Sequence, residues 1–231
     1  MYEFVKGPLL WISVTIFVAG FIYRTIRLFR LTEKKESALC PVANPKINPV
    51  KPMSAEEAKL EKIARFQNSV LVCHPVMTVV STIFHLCIFI TPLFLMAHNV
   101  MLHNALGVRL PGMPDGLADF LTIVVLACGL FFLVRRIAVP KVSAISSGYD
   151  YAVLFVTIMP FLTGFLAYHQ LFNYQVMLTL HVFAGDLMLM ALPFTKVGHM
   201  VFFFFVRMTM GGEYSLGHGN RIWSTEATTQ G

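Results

Sequence analysis

Residues 66–108 read FQNSVLVCHPVMTVVSTIFHLCIFITPLFLMAHNVMLHNALGV, and no Asp, Glu, Lys or Arg interrupts them. At 1.5 Å of rise per residue, about 20 apolar residues already cross the roughly 30 Å of bilayer hydrocarbon. The stretch therefore predicts a transmembrane helix over about 76–102. Backbone polar groups in lipid must be satisfied within the segment, so an uninterrupted apolar run of this kind spans as a helix. A transmembrane barrel would instead show segments of about ten residues with alternating hydrophobicity.

Working outward, four more spans follow the same reading. The first covers about 8–28, with no charge between Lys6 and Arg24. The third covers about 116–134 and ends at Arg135-Arg136, the fourth about 150–171, and the fifth about 176–206, ending at Arg207. Composition agrees: of 231 residues, 56% are hydrophobic and only 13% charged, with a mean hydropathy of +0.68. A soluble domain carries about a quarter charged residues. The low charge and 21 Phe also exclude a disordered chain. The fold class expected is an all-α membrane protein of five transmembrane helices.

The formal net charge of +6 is read through the positive-inside rule rather than as a nucleic-acid footprint. Ten Lys and Arg fall between Arg24 and Arg65; Arg135, Arg136 and Lys141 follow span three, and Arg207 and Arg221 follow span five. Only Lys6 and Arg109 fall on the other side. The expected topology has the N-terminus outside and the C-terminus cytoplasmic, in a multi-pass protein of the cytoplasmic (inner) membrane. Arg24, Arg27 and Arg30 after the first apolar run mark it as a retained anchor.

Four segments result. Residues 1–30 form the first transmembrane helix, and 31–75 a cytoplasmic loop. Residues 76–207 form a four-helix bundle, and 208–231 a cytoplasmic tail. In the loop, CPVANPKINPVKP at 40–52 is extended, and Ser54 and Glu57 form a capping box opening a short amphipathic helix to about Asn68. Cys40, Cys73, Cys87 and Cys128 form no CxxC, which argues against zinc fingers, iron–sulfur ligation and covalent c-type haem.

The chemistry lies in the histidines. His85 and His98 fall in span two, His181 and His199 in span five. An ionisable residue inside a bilayer is costly and points to function. The spans run antiparallel, so the levels match in pairs: His85 with His199 toward the inside, His98 with His181 toward the outside. Two facing imidazoles at one level can clamp an iron axially, as in haem b. Thirteen residues separate His85 from His98, about 20 Å of helix, and eighteen separate His181 from His199, about 27 Å. Eighteen residues make five whole turns, which places His181 and His199 on one face of a continuous helix. His103 shares a face with His85 and is the alternate outer ligand; His74 is the alternate on the inner side. Zinc and di-iron sites are disfavoured by the scarcity of carboxylates beside these histidines.

The five spans, Phe84-His85, and above all His181…Pro193-Phe194-Thr195-Lys196-x-x-His199 resemble the respiratory nitrate reductase gamma subunit superfamily of five-helix di-haem b membrane subunits. Pro92-Leu-Phe-Leu-x-Ala-His98 and Arg135-Arg136 are similar to the branch found in sulfate-reducer transmembrane redox and heterodisulfide-reductase-like complexes. The closer histidine spacing that the nitrate reductase branch has in span two is absent. The resemblance implies two haem b groups and a quinone substrate, menaquinone foremost. It also implies a cytoplasmic iron–sulfur partner subunit and, on the outer face, a multihaem cytochrome c.

Within that reading, Lys196, Arg135 and Arg136 are candidate partners for haem propionates, against the plainer roles of snorkelling and positive-inside anchoring. Gly164 and Gly185 are candidate clearances for a macrocycle. Asp186, a carboxylate within span five, joins Tyr168 and His169 as a candidate quinone pocket that takes up protons. The function expected is electron exchange with quinone and relay across the membrane to partners, without a soluble catalytic domain. The rivals are a quinone-independent electron conduit and a haem-free transporter whose histidines bind a metal.

Overall fold

A computed structural model describes residues 2–38 and 74–200, with 56, 59, 60, 63, 72 and 202 as single positions. Among the described residues the chain is helical, with no strand. Five helices are long and apolar enough to cross a membrane: Val5–Arg30, Pro75–Phe94, Asp115–Ala138, Gly148–Tyr168 and Tyr174–Ala191. Within the expected capping-box helix at 54–68, Glu56, Lys59, Leu60 and Ile63 are helical; its other positions, and the tail with Arg207, His218 and Arg221, lie outside the described residues.

The helices are α1 (Leu10–Ala38), α2 (Pro75–Phe94), α3 (Met96–Leu106), α4 (Asp115–Ala138), α5 (Pro140–Ser143), α6 (Gly148–Tyr168) and α7 (Tyr174–Ala191). A π turn at Val5–Leu9 leads into α1. Pro8 lies within it and lacks the N–H that a regular α turn would use. α1 runs eight residues past Arg30, the boundary expected for the first helix.

Two expected spans are not single helices. The run 76–102 breaks at Leu95, which is extended (φ −65°, ψ 129°) and separates α2 from α3. Pro92 cannot donate to the turn before it, and the helix gives way three residues later. The run 176–206 stops at Ala191; turns follow to Thr195, then a 3-10 turn at Lys196–Gly198, and helix resumes at His199. The cause is again a proline, Pro193. The expectation of five unbroken turns from His181 to His199, with its rise of about 27 Å and shared face, is therefore corrected. So is the straight-helix spacing from His85 to His98.

Broken helices in hydrocarbon free carbonyls that need donors. At the first break, His98 Nδ1 donates to Pro92 O at 3.0 Å, and the Met113 amide donates to Phe94 O at 2.8 Å. The second contact folds the 107–114 loop back on the break. Gly107 turns that loop at φ 71°, and Asn99, buried, accepts from the Leu110 amide and donates to Pro111 O.

The chain divides into two compact units. One holds residues 46–181, the other residues 1–45 with 182–231. In the first, α4 packs against both α2 and α6. Its core includes Phe84, Cys87, Ile88, Val125, Cys128 and Phe161. Phe84 meets Phe132 edge-on at 5.2 Å. Gly129 lets α6 approach, since a Cβ there would lie 2.5 Å from Ile158. Ser147 and Asp150 form the capping box that starts α6. In the other unit, α1 carries Gly20, where a Cβ would lie 2.8 Å from both Pro193 and Phe194. Large apolar side chains such as Ile22, Ile83, Phe120, Leu130 and Phe155 face outward, as residues facing lipid do.

Candidate functional site

Seven of the eight histidines lie among the described residues, and they sort by which ring nitrogen is held and by what. His85 Nδ1 meets Ser81 O at 2.5 Å, with Ser81 Oγ at 3.3 Å. His98 Nδ1 meets Pro92 O at 3.0 Å, His181 Nδ1 meets Pro160 O at 2.8 Å, and His199 Nδ1 meets Lys196 O at 2.5 Å. A carbonyl oxygen only accepts, so in each case Nδ1 carries the proton. The neutral ring then presents the lone pair of Nε2. Fixing one nitrogen on a carbonyl and turning the other outward is how proteins orient an imidazole toward a metal.

Three of these four carbonyls have a distinctive local setting. The break after α2 frees Pro92 O. Pro160 lies within α6, and its carbonyl also accepts from Thr163 Oγ1 at 3.2 Å. Lys196 O belongs to the 3-10 turn before His199.

The structure brings His98 and His181 together. Their ring centres are 5.8 Å apart with the planes inclined by 15°. An atom bonded at about 2 Å to each Nε2 would set the ring centres roughly 6 Å apart. Gly164 of α6 makes room for His181: a Cβ there would lie 2.9 Å from Cε1 and 3.0 Å from Nδ1. Its clearance therefore serves the imidazole, whereas Gly185 has no atom within 4 Å of a built Cβ. Overpacking at such a contact costs about 1–3 kcal/mol. Gly164→Ala is accordingly expected to lower thermal stability by that order, measured by unfolding of the purified chain in detergent.

His85, in α2, is half-buried, and His199 is exposed; they belong to separate units. His103, in the last turn of α3, and His74, at the start of α2, are exposed. No group of three or more His, Cys, Asp or Glu side chains able to hold a metal occurs among the described residues. A two-imidazole clamp falls below that number.

His169 is held the opposite way. It caps the C-terminus of α6, and its Nε2 lies 2.9 Å from Asp119 Oδ1 of α4. The carboxylate accepts, so Nε2 carries the proton and Nδ1 is the unprotonated nitrogen of the neutral ring. Phe165 and Tyr168 pack around this imidazole at 4.3 and 5.1 Å between ring centres. Asp119 lies 50 residues from His169 in the chain, so the pairing has no local signal in the sequence.

Asp186 is 1% exposed, and neither carboxylate oxygen has a hydrogen-bond partner among the described residues. Ser13, the polar side chain beside it, donates its hydroxyl to Leu9 O at 2.8 Å. An unpaired buried carboxylate is costly to maintain. Asp186 and the Tyr168–His169 pair fall in different units.

The basic candidates divide. Arg136 lies 3.9 Å from Asp150 Oδ2 and donates to Ser146 Oγ at 3.4 Å, which ties the ends of α4 and α6. Arg135 is half-buried and Lys196 exposed. Sequence reasoning missed Arg24, which it counted only as an inner-side charge. Its Nη1 donates to Pro193 O at 2.9 Å and reaches Thr195 O at 3.4 Å.

No protein-family model and no solved structure matches the chain. A protein of Nitratidesulfovibrio vulgaris (strain Hildenborough), designated only "Protein", is 35% identical over 219 residues, covering 95% of this chain and 96% of that protein. The chain belongs to the same family as this Nitratidesulfovibrio vulgaris protein, over nearly the full length of both.

Proposed function

We propose that this chain is a di-haem b membrane subunit that exchanges electrons with a quinone, menaquinone foremost, and passes them across the cytoplasmic membrane. Its N-terminus lies outside and its C-terminus in the cytoplasm. The observation that carries the reading is that His85, His98, His181 and His199 each have Nδ1 on a main-chain carbonyl. Two of them stand 5.8 Å apart.

His98 and His181 would hold one haem; His85 and His199 are the ligand candidates for the second. Pro92, Pro160, Ser81 and Lys196 fix the rings through their carbonyls, and Gly164 clears the place of His181. Haem iron, when bound, supplies one-electron redox chemistry that no side chain here provides. Basic residues at the inner helix ends, Lys196, Arg135 and Arg136, attract the propionates.

A quinol that gives up two electrons also releases two protons. His169 can receive one at Nδ1, while Asp119 accepts from Nε2 and stabilises the imidazolium. Tyr168 flanks this dyad as a packing face for the ring of the quinol. Asp186 is a second proton acceptor, kept from water inside the other unit. Basic residues of the 31–75 loop and the tail supply the docking face for a cytoplasmic iron–sulfur subunit. The outer face serves a multihaem cytochrome c.

The test is reduction of the b-type absorbance by a menaquinol analogue in membranes that contain the full chain. Rapid reduction is expected, and a chain reducible by dithionite but inert to quinol would contradict the quinone assignment. Asp119→Asn leaves the carbonyl-held imidazoles untouched. It is expected to slow quinol-driven reduction roughly tenfold or more with the haem spectrum unchanged.

A further inference from the structure

The break between α7 and His199 has no helix to hold it, yet it must present His199 in one orientation. Pro193 is fully buried at the turn, and its carbonyl accepts from a side chain of α1. The Arg24 guanidinium takes that carbonyl at 2.9 Å, reaches Thr195 O at 3.4 Å, and lies 5.4 Å from the centre of the Phe202 ring. Phe21, three residues before Arg24, stacks on Phe202 at 4.9 Å.

Two glycines make this approach possible. A Cβ at Gly20 would lie 2.8 Å from Pro193 and Phe194, and one at Gly198 would lie 2.9 Å from Arg24 Nη1. Thr195 in turn accepts the Val197 amide at 3.3 Å and starts the 3-10 turn whose Lys196 carbonyl holds His199 Nδ1. An unbroken chain of contacts thus leads from Arg24 to the ring of His199. A positive-inside arginine needs none of them. Nη1 alone serves both carbonyls while the planar guanidinium lies over Phe202, a combination that an ammonium does not reproduce.

We propose that Arg24 is a positioning residue, which staples the broken helix at Pro193–Thr195 and thereby sets the orientation of His199 as a haem ligand. The last clause rests on the functional reading above; the staple itself does not. Lysine at this position keeps the charge but loses the planar group over Phe202.

The test uses the full chain in membranes, with variants Arg24→Ala, Arg24→Lys and Gly198→Ala. The first readout needs no haem. Val197 is buried, so Val197→Cys, in a background without the four native cysteines, is slow to react with a maleimide. Arg24→Ala is expected to speed labelling on the order of tenfold or more, with Gly198→Ala in the same direction and Arg24→Lys between. Unchanged labelling in Arg24→Ala overturns the staple. The second readout is a redox titration of the haems. Arg24→Ala is expected to shift or remove the component lost in His199→Ala and to spare the component lost in His181→Ala. Equal loss of both components, or no change in either, overturns the positioning role. A colourless wild type sinks the haem reading, and with it the role assigned to His199, while the labelling result still decides the staple.

Discussion

Replacing His181 by alanine is expected to halve the haem content of the purified chain, from two per polypeptide to one, and to remove one component from the redox titration. The ring of His181 faces His98 at 5.8 Å, donates from Nδ1 to Pro160 O, and fills the clearance left by Gly164. Alanine takes away the Nε2 lone pair, and no described neighbour offers another nitrogen at that place. His98→Ala is expected to remove the same component, because a low-spin haem b of this type needs both axial bonds. His103→Ala and His74→Ala provide the contrast. Both residues are exposed, and their variants are expected to keep two haems. A His181→Ala protein with full haem content, or a His103→Ala protein that loses one, would move the clamp elsewhere.

Asp186→Asn is expected to leave the haem spectrum intact and to slow quinol-driven reduction on the order of 10²-fold. The substitution keeps the shape of the side chain and removes its capacity to act as an acid or base. Burial at 1% exposure, with both oxygens unpartnered, means no described hydrogen bond depends on the carboxylate. Stopped-flow reduction by a menaquinol analogue, set beside dithionite reduction, separates loss of proton transfer from loss of haem. If Asp186→Asn reduces at the wild-type rate, the carboxylate takes no part in proton uptake.

The five spans are legible in the sequence because apolar run length is a direct measure of bilayer thickness. The long stretch at 66–108 and the arginine pair after span three needed no tertiary information. The breaks were not legible. Pro92 and Pro193 announce weakened helices, but a proline can kink a helix or end it, and the outcome depends on donors supplied from elsewhere. At Leu95 the donors come from His98 and Met113; at Pro193 the donor is Arg24, 169 residues away in the chain. Arithmetic that assumed 1.5 Å per residue from His181 to His199 failed at that second break.

The depth argument that paired His98 with His181 used only topology, and those two rings do lie side by side. The shared face of His85 and His103 assumed one straight helix, and the extended residue at Leu95 removes that assumption. Asp119 illustrates a different limit. In sequence it is a carboxylate at the start of span three, and only packing of α4 on α6 places it against His169.

The most direct test of the central claim is a pyridine haemochrome assay on the purified full-length chain, read against protein concentration by amino-acid analysis. Two haem b per chain, with the low-spin spectrum of two-imidazole ligation, is the expected result. A colourless preparation, or high-spin haem below one per chain, would contradict it.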